Sequence, residues 1–168
     1  MNWFGRVGLV SALACGLACY SHSPLDSSPK AKADPRLSGV WRCVPPDAES
    51  SDEATVTVVA DTGREYRITW REGEKDEHYR AFRSTVRGAA FLNVRPDEAT
   101  ESPSRPWVFV RYSLLRGNVL YAELADEGLF KEDNSSSSSP AARATLERAL
   151  GSAPGAMKPF AVCVRKGD

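Results

Sequence analysis

Four cysteines are the residues of this chain whose type and spacing point most directly to chemistry, and they form two pairs. Cys43 and Cys163 stand at opposite ends of the expected folded domain. Neither belongs to a C-x-x-C ligand pair of the kind that holds zinc. Oxidation to a disulfide is the expected chemistry, favoured by an extracytoplasmic compartment, with two buried free thiols as the alternative. The bond would close a loop of about 120 residues and contribute on the order of 4–5 kcal/mol in the chain-entropy view. Residues opposite each other in an antiparallel pair share a constant sum of numbers. Cys43 with Cys163 and Trp41 with Arg165 have the same sum. One register therefore sets the sulfurs opposite each other and the Arg165 guanidinium over the Trp41 indole, both on one sheet face.

Cys15 and Cys19 lie in a different setting. Arg6 precedes an uninterrupted weakly polar to apolar run, residues 7–18, and a Ser/Pro-rich stretch follows at once. The run has signal-peptide length and falls short of the roughly 20 residues that span a bilayer. Gly16-Leu17-Ala18-Cys19 and Ala12-Leu13-Ala14-Cys15 resemble the lipobox of bacterial lipoproteins. That resemblance implies diacylation of the cysteine and cleavage before it, with ordinary signal cleavage after Ala14 or Ala18 as the alternative. Cys19 is preferred over Cys15 because it gives the longer apolar run and leaves an even number of cysteines behind. Two or three acyl chains on Cys19 would hold the protein on a membrane far better than one chain does. The expected organisation is a lipoprotein signal peptide at 1–18, a lipidated cysteine and disordered tether at 19–35, and a β domain at 36–168. The tether reading rests on its Ser, Pro and Lys content and its lack of apolar period. The expected location is exported, lipid-anchored to the bacterial cell envelope, facing the periplasm or the cell surface.

Other reactive residue types do not assemble into a motif. His78 is the one histidine of residues 36–168, and Glu74, Asp76 and Glu77 beside it read as a solvated turn rather than as convergent metal ligands. A serine hydrolase would need His78 and a G-x-S-x-G elbow, which is absent; Ser102 and Ser104 fall in a Pro/Ser-rich loop. Glu123, Asp126 and Glu127 are acids at a strand end, where solvent exposure is the ordinary state. The expectation is a non-enzymatic protein without metal or cofactor. Charge is balanced, with 22 basic and 22 acidic residues. Loss of residues 1–18 removes Arg6 and no acid, so one net negative charge remains, unlike the basic excess of nucleic-acid binders. Arg64, Arg67, Arg71, Arg80, Arg83 and Arg87 interleave with Tyr66, Trp70, Tyr79 and Phe82. This reads as an outer face bearing arginines with aromatics inside, neutralised by neighbouring acids.

The elements that would position these residues are strands. Period-2 segments bounded by turn residues cover 37–44, 54–59, 65–71, 78–86, 89–94, 107–114 and 119–124. After a serine run, Ser139-Pro140 reads as an N-cap and first helical residue. Ala142, Leu146, Ala149 and Leu150 then recur at helical spacing, with Gly151 as the stop. A last strand covers 159–165. The expected class is all-β with one short helix: an eight-stranded antiparallel up-and-down barrel or a strongly curved meander, closed if the first and last strands meet.

Gly39-Val40-Trp41 on the first strand, with Arg165 from the chain end beside that tryptophan, is similar to the G-x-W signature of lipocalins and related calycin barrels. The resemblance implies a barrel with a cup for a small apolar ligand. The chain also looks like lipocalin-like lipoproteins of bacterial envelopes. Tyr66, Trp70, Trp107 and Phe109, with Trp41, are the candidate pocket or core. Two functions are expected: a small apolar or amphipathic ligand bound in the barrel, or a structural or protein-interaction lipoprotein with a solid core. The first predicts an apolar internal cavity of about 300 Å³ or more, open at one end.

Overall fold

The computed structural model describes residues 21–46, 53–97, 107–130, 138–152 and 154–167. Cys15, Cys19, the apolar N-terminal run, Ser102 and Ser104 lie outside them. Eight strands run β1 (Gly39–Val44), β2 (Ala54–Asp61), β3 (Glu65–Glu72), β4 (Lys75–Val86), β5 (Ala89–Pro96), β6 (Val108–Leu115), β7 (Val119–Ala125) and β8 (Met157–Arg165). Each pairs antiparallel with the next and β8 pairs with β1, so the sheet is a closed up-and-down barrel. One helix, α1 (Ser139–Ser152), lies between β7 and β8. Among the described residues no helix is long and apolar enough to cross a membrane.

Local sequence explains the hairpins. Arg87 and Gly88 both have positive φ (49° and 81°) and form a two-residue link between Val86 and Ala89. This mirror-image turn matches the right-handed twist of the strands it joins. The turn between β3 and β4 is equally tight, because Glu72 already pairs with Lys75. The broad charged turn expected over 72–77 is therefore mostly strand, with Gly73 (φ 59°) making the reversal.

The closing seam has the register expected from the shared sum. Cys43 faces Cys163 and Trp41 faces Arg165. The two cysteines are joined by a disulfide with their Cα atoms 4.0 Å apart.

Two apolar clusters stabilise the fold, on opposite sides of the sheet. The first fills the barrel: Leu37, Trp41, Val56, Val58, Tyr66, Trp70, Tyr79, Leu92, Val94, Val108 and Tyr112 are among its members. The second lies outside the barrel, where Val86, Phe91 and Phe109 meet Ala142 and Leu146 of α1, Phe130 and Leu25. Strands β5 and β6 are covered on both faces, which is why their segments read as nearly unbroken apolar runs. Helix α1 extends one residue beyond the expected start and two beyond the expected end. Ser138, not Ser139, caps it, its Oγ accepting from Ala141 N–H at 3.4 Å. Gly151 is within the helix rather than its stop. A Cβ there would stand 2.4 Å from an Arg87 nitrogen, and that guanidinium donates to the Glu147 carbonyl at 3.0 Å. A cation at a helix C-terminus is favoured by the helix dipole.

The disordered tether expected for 19–35 is corrected over residues 21–34, which pack on the barrel. Ser21 and Trp107 exchange backbone hydrogen bonds of 3.3 and 2.7 Å. Leu25 is 1% exposed and its N–H donates to Asn93 Oδ1 at 2.7 Å. Asp26 accepts from Ser84 Oγ at 2.6 Å and from Arg143 of α1 at 2.9 Å. A composition poor in apolar residues still docks when one leucine fills a gap and buried side chains satisfy the backbone around it.

Candidate functional site

The interior of the barrel holds a concave site lined by several of the sequence candidates. One end is shut by the chain before β1. A 3-10 turn, Pro35–Leu37, is capped by Asp34, whose carboxylate accepts from Arg36 N at 3.0 Å. Leu37 seats beneath Trp41, and the indole Nε1 donates to the Leu37 carbonyl at 2.9 Å. The Arg165 guanidinium lies 4.4 Å from the Trp41 ring centroid. It donates to the Ser38 carbonyl at 2.6 Å and also to the Arg36 carbonyl. The Trp41–Arg165 pair thus clamps the N-terminal turn under the barrel. Sequence pairing located the two residues together, while their role in holding this plug is visible only in three dimensions.

Above this floor is a cavity of about 100 Å³, apolar throughout. Val58, Leu92, Val110, Leu120, Trp70 and Phe160 are among its walls. At the end opposite the plug, the rings of Trp70 and Phe160 meet with centroids 5.6 Å apart. Phe160 occupies the irregular step where β8 slips against β7 at Ala122/Glu123. The volume is well under the roughly 300 Å³ expected of a drug-sized pocket. The reason is that large side chains occupy most of the space an eight-stranded barrel encloses.

Of the four candidate pocket aromatics, Trp70 lines the cavity and Tyr66 is buried at the plug end, 0% exposed. Trp107 and Phe109 do not belong to the interior. Val108, Val110 and Tyr112 face inward, so their odd-numbered neighbours face outward. There Phe109 packs on Phe130 and Trp107 packs on Phe82, and Arg95 lies over Trp107 at 5.1 Å. A strand apolar on both faces carries no alternation from which its phase can be read.

The arginines divide in the same way. Arg71 is paired with Asp76, Arg80 with Asp97 and Arg111 with Glu123, at 2.6, 2.8 and 2.6 Å. Arg83 departs from the expected outer face. It shares the inward phase of Tyr79 and Ala81 on β4 and stands opposite Leu92, a cavity wall. Its Nε and the Tyr112 hydroxyl are buried with no hydrogen-bond partner among the described residues. Tyr112 stands opposite Ala122, another cavity wall. Burial pushes the Tyr112 phenol up to about 12. It raises the Tyr66 phenol too, whose oxygen accepts from the Asp34 backbone N–H. The Arg36 guanidinium, bonded to Asp34, holds that carboxyl below the usual range. None of Arg83, Tyr112, Tyr66 and Asp34 is among the residues that line the cavity, whose surface is apolar throughout. No sequence periodicity singled out Arg83 or Tyr112; the signal lay in their inward phase, fixed by pairing.

The remaining candidates do not converge. His78 is exposed, with Nδ1 3.2 Å from Thr69 Oγ1. Glu77 accepts from Tyr79 Oη at 2.5 Å. Asp126 is paired with Lys158 and accepts from Gly128 N–H. No group of three or more metal-ligating side chains occurs among the described residues.

Comparison of the chain with protein-family models, with curated proteins and with solved structures finds no match to any of them.

Proposed function

We propose that the protein is an exported, non-enzymatic lipoprotein, anchored through Cys19, whose barrel binds one slim apolar or amphipathic molecule. The observation that carries the binding reading is the cavity: about 100 Å³ of unfilled, wholly apolar space at the centre of a disulfide-closed barrel. An engineered apolar cavity of about 150 Å³ elsewhere admits benzene, so this one suits a short linear chain rather than a ring system. The disulfide fits an oxidising, extracytoplasmic compartment. The lipocalin-like combination of Gly39-x-Trp41 with Arg165 supports the same reading, as does the apolar run before Cys19.

Native mass spectrometry of protein purified from its own membranes tests it, together with thermal unfolding in the presence of linear alcohols from butanol to decanol. Expected are a co-purifying small apolar molecule and a rise in Tm of several degrees at saturating alcohol. Val58→Phe, which fills the cavity, should abolish the rise. A second reading, a structural or protein-interaction lipoprotein with a solid core, is favoured by the modest cavity volume. It stands if no alcohol changes Tm and nothing co-purifies. An N-terminal peptide bearing an acylated Cys19 tests the anchor, and a mature chain starting elsewhere removes it.

A further inference from the structure

Leu25 and Asp26 occupy a seat on the outer wall of the barrel, formed by β4, β5 and α1. The Leu25 N–H donates to Asn93 Oδ1 at 2.7 Å, and the Leu25 carbonyl accepts from Arg143 Nε at 3.3 Å. The Asp26 carboxylate accepts from Arg143 at 2.9 Å and from Ser84 Oγ at 2.6 Å. The leucine side chain joins Val86, Phe91, Phe109 and Leu146 in the outer cluster. Bonds that do not involve the segment hold the seat in shape. Asn93 Nδ2 donates to the Phe82 carbonyl at 3.2 Å and to Ser84 Oγ at 2.8 Å, and Arg143 donates to the Thr85 carbonyl at 2.8 Å. Asn93 and Ser84 are 0% and 1% exposed, so an empty seat leaves buried polar atoms short of partners. Residues 21–28 have little else to hold them. Leu25 is their one large apolar side chain, and among the described residues their strand pairing is a single bridge, Ser21 to Trp107.

We propose that this seat is a peptide-binding site that reads an extended Pro-Leu-Asp segment of another protein, and that residues 24–26 fill it in cis as a built-in competitor. The apolar hole selects the leucine, the Arg143 cation and the Ser84 hydroxyl select the aspartate, and Asn93 and Arg143 hold the backbone. Side chains that read both backbone and side-chain groups suit a short linear motif, because the partner needs no matching strand. Charge-assisted bonds from Arg143 favour aspartate over an uncharged residue. A proline before the leucine keeps the preceding residue extended and lowers the cost of ordering the motif. The cis segment is present at an effective concentration of about millimolar or more, so an incoming motif displaces residues 21–26 on binding. The seat lies outside the barrel and does not draw on the cavity.

The test uses the full chain in its Cys19→Ser form with Leu25→Ala and Asp26→Ala, which empties the seat, and a fluorescent peptide of residues 21–28. The peptide should bind with half-saturation below about 0.1 mM. Peptides carrying Leu25→Ala or Asp26→Asn should bind about tenfold more weakly, and Arg143→Met in the chain should abolish the preference for the aspartate peptide. If the emptied chain fails to fold, amide exchange of the Cys19→Ser chain with Leu25 and Asp26 intact decides. Native peptide at several millimolar should accelerate exchange of the Leu25 amide and leave the barrel strands unchanged, while a scrambled peptide has no effect. No binding by a folded, emptied chain, equal binding of native and scrambled peptides, or no displacement in the exchange measurement overturns the site and leaves residues 21–26 a fixed part of the fold. A dimer of the chain that Leu25→Ala with Asp26→Ala converts to a monomer overturns the foreign partner in favour of the same segment from a second copy.

Discussion

Gly39 shows how one atom can be excluded at the seam. Its φ is +141°, and a Cβ there would stand 2.5 Å from an Arg165 nitrogen. The close approach arises because Arg165 crosses the start of β1 to reach the Ser38 carbonyl. Gly39→Ala should lower stability by about 1–3 kcal/mol, measured by urea unfolding. Arg165→Ala in that background should restore the steric part and leave the backbone part. A neutral Gly39→Ala would show that the clamp does not depend on this close approach. The glycine and the tryptophan were legible in the sequence as a motif. The reason for the glycine was not, because the arginine that excludes a side chain comes from the other end of the chain.

The docked segment 21–26 and α1 stabilise each other, and Arg143 is the residue that ties them. It donates to the Leu25 carbonyl at 3.3 Å, to Asp26 at 2.9 Å and to the Thr85 carbonyl at 2.8 Å. Behind it, Asn93 and Ser84 are fully buried and satisfied by the same segment. Arg143→Ala leaves several of these acceptors without a donor and should lower stability by about 1–3 kcal/mol. Amide exchange should accelerate at residues 21–26 before it does in the barrel strands; uniform acceleration, or none, would refute the latch. The amphipathic pattern of the helix was readable, and so was its need for an apolar partner. Its partner was not, since the outer faces of β5 and β6 are hidden in runs that are apolar on both sides.

For the molecule as a whole, closure depends on the β1–β8 pairing and the sulfur bond across it. Replacing both Cys43 and Cys163 by Ala should reduce unfolding free energy by about 4 kcal/mol, seen as a lower denaturant midpoint. A loss under 1 kcal/mol would mean that strand pairing alone secures the seam. The packing of residues 21–34 also bears on the proposed anchor. Ser21 is hydrogen-bonded to Trp107 at the end of the barrel that carries the Gly73 turn. Only Tyr20 separates it from Cys19, and two residues reach about 7 Å. An acylated Cys19 would then hold that end close to the lipid. Lys75 and Lys158, at that end, should react more slowly with an impermeant amine reagent in vesicles than in a Cys19→Ser soluble form, while Lys166 at the far end reacts alike in both. Equal rates at all three would show that the barrel is not held in this orientation.

Strand number, the antiparallel up-and-down order and the register of the first strand against the last were all contained in the one-dimensional pattern. Alternation reports burial of one face, and a shared residue sum reports pairing, so both survive projection onto a line. Tertiary structure alone decided what lies behind each face. It turned Trp107 and Phe109 outward, brought Arg83 and Tyr112 inward, docked residues 21–34 and reduced the interior to a small apolar space. Those outcomes depend on which of two apolar faces meets the barrel axis and on how much volume the large side chains leave. Both are properties of the closed surface, set only when the chain's two ends pair.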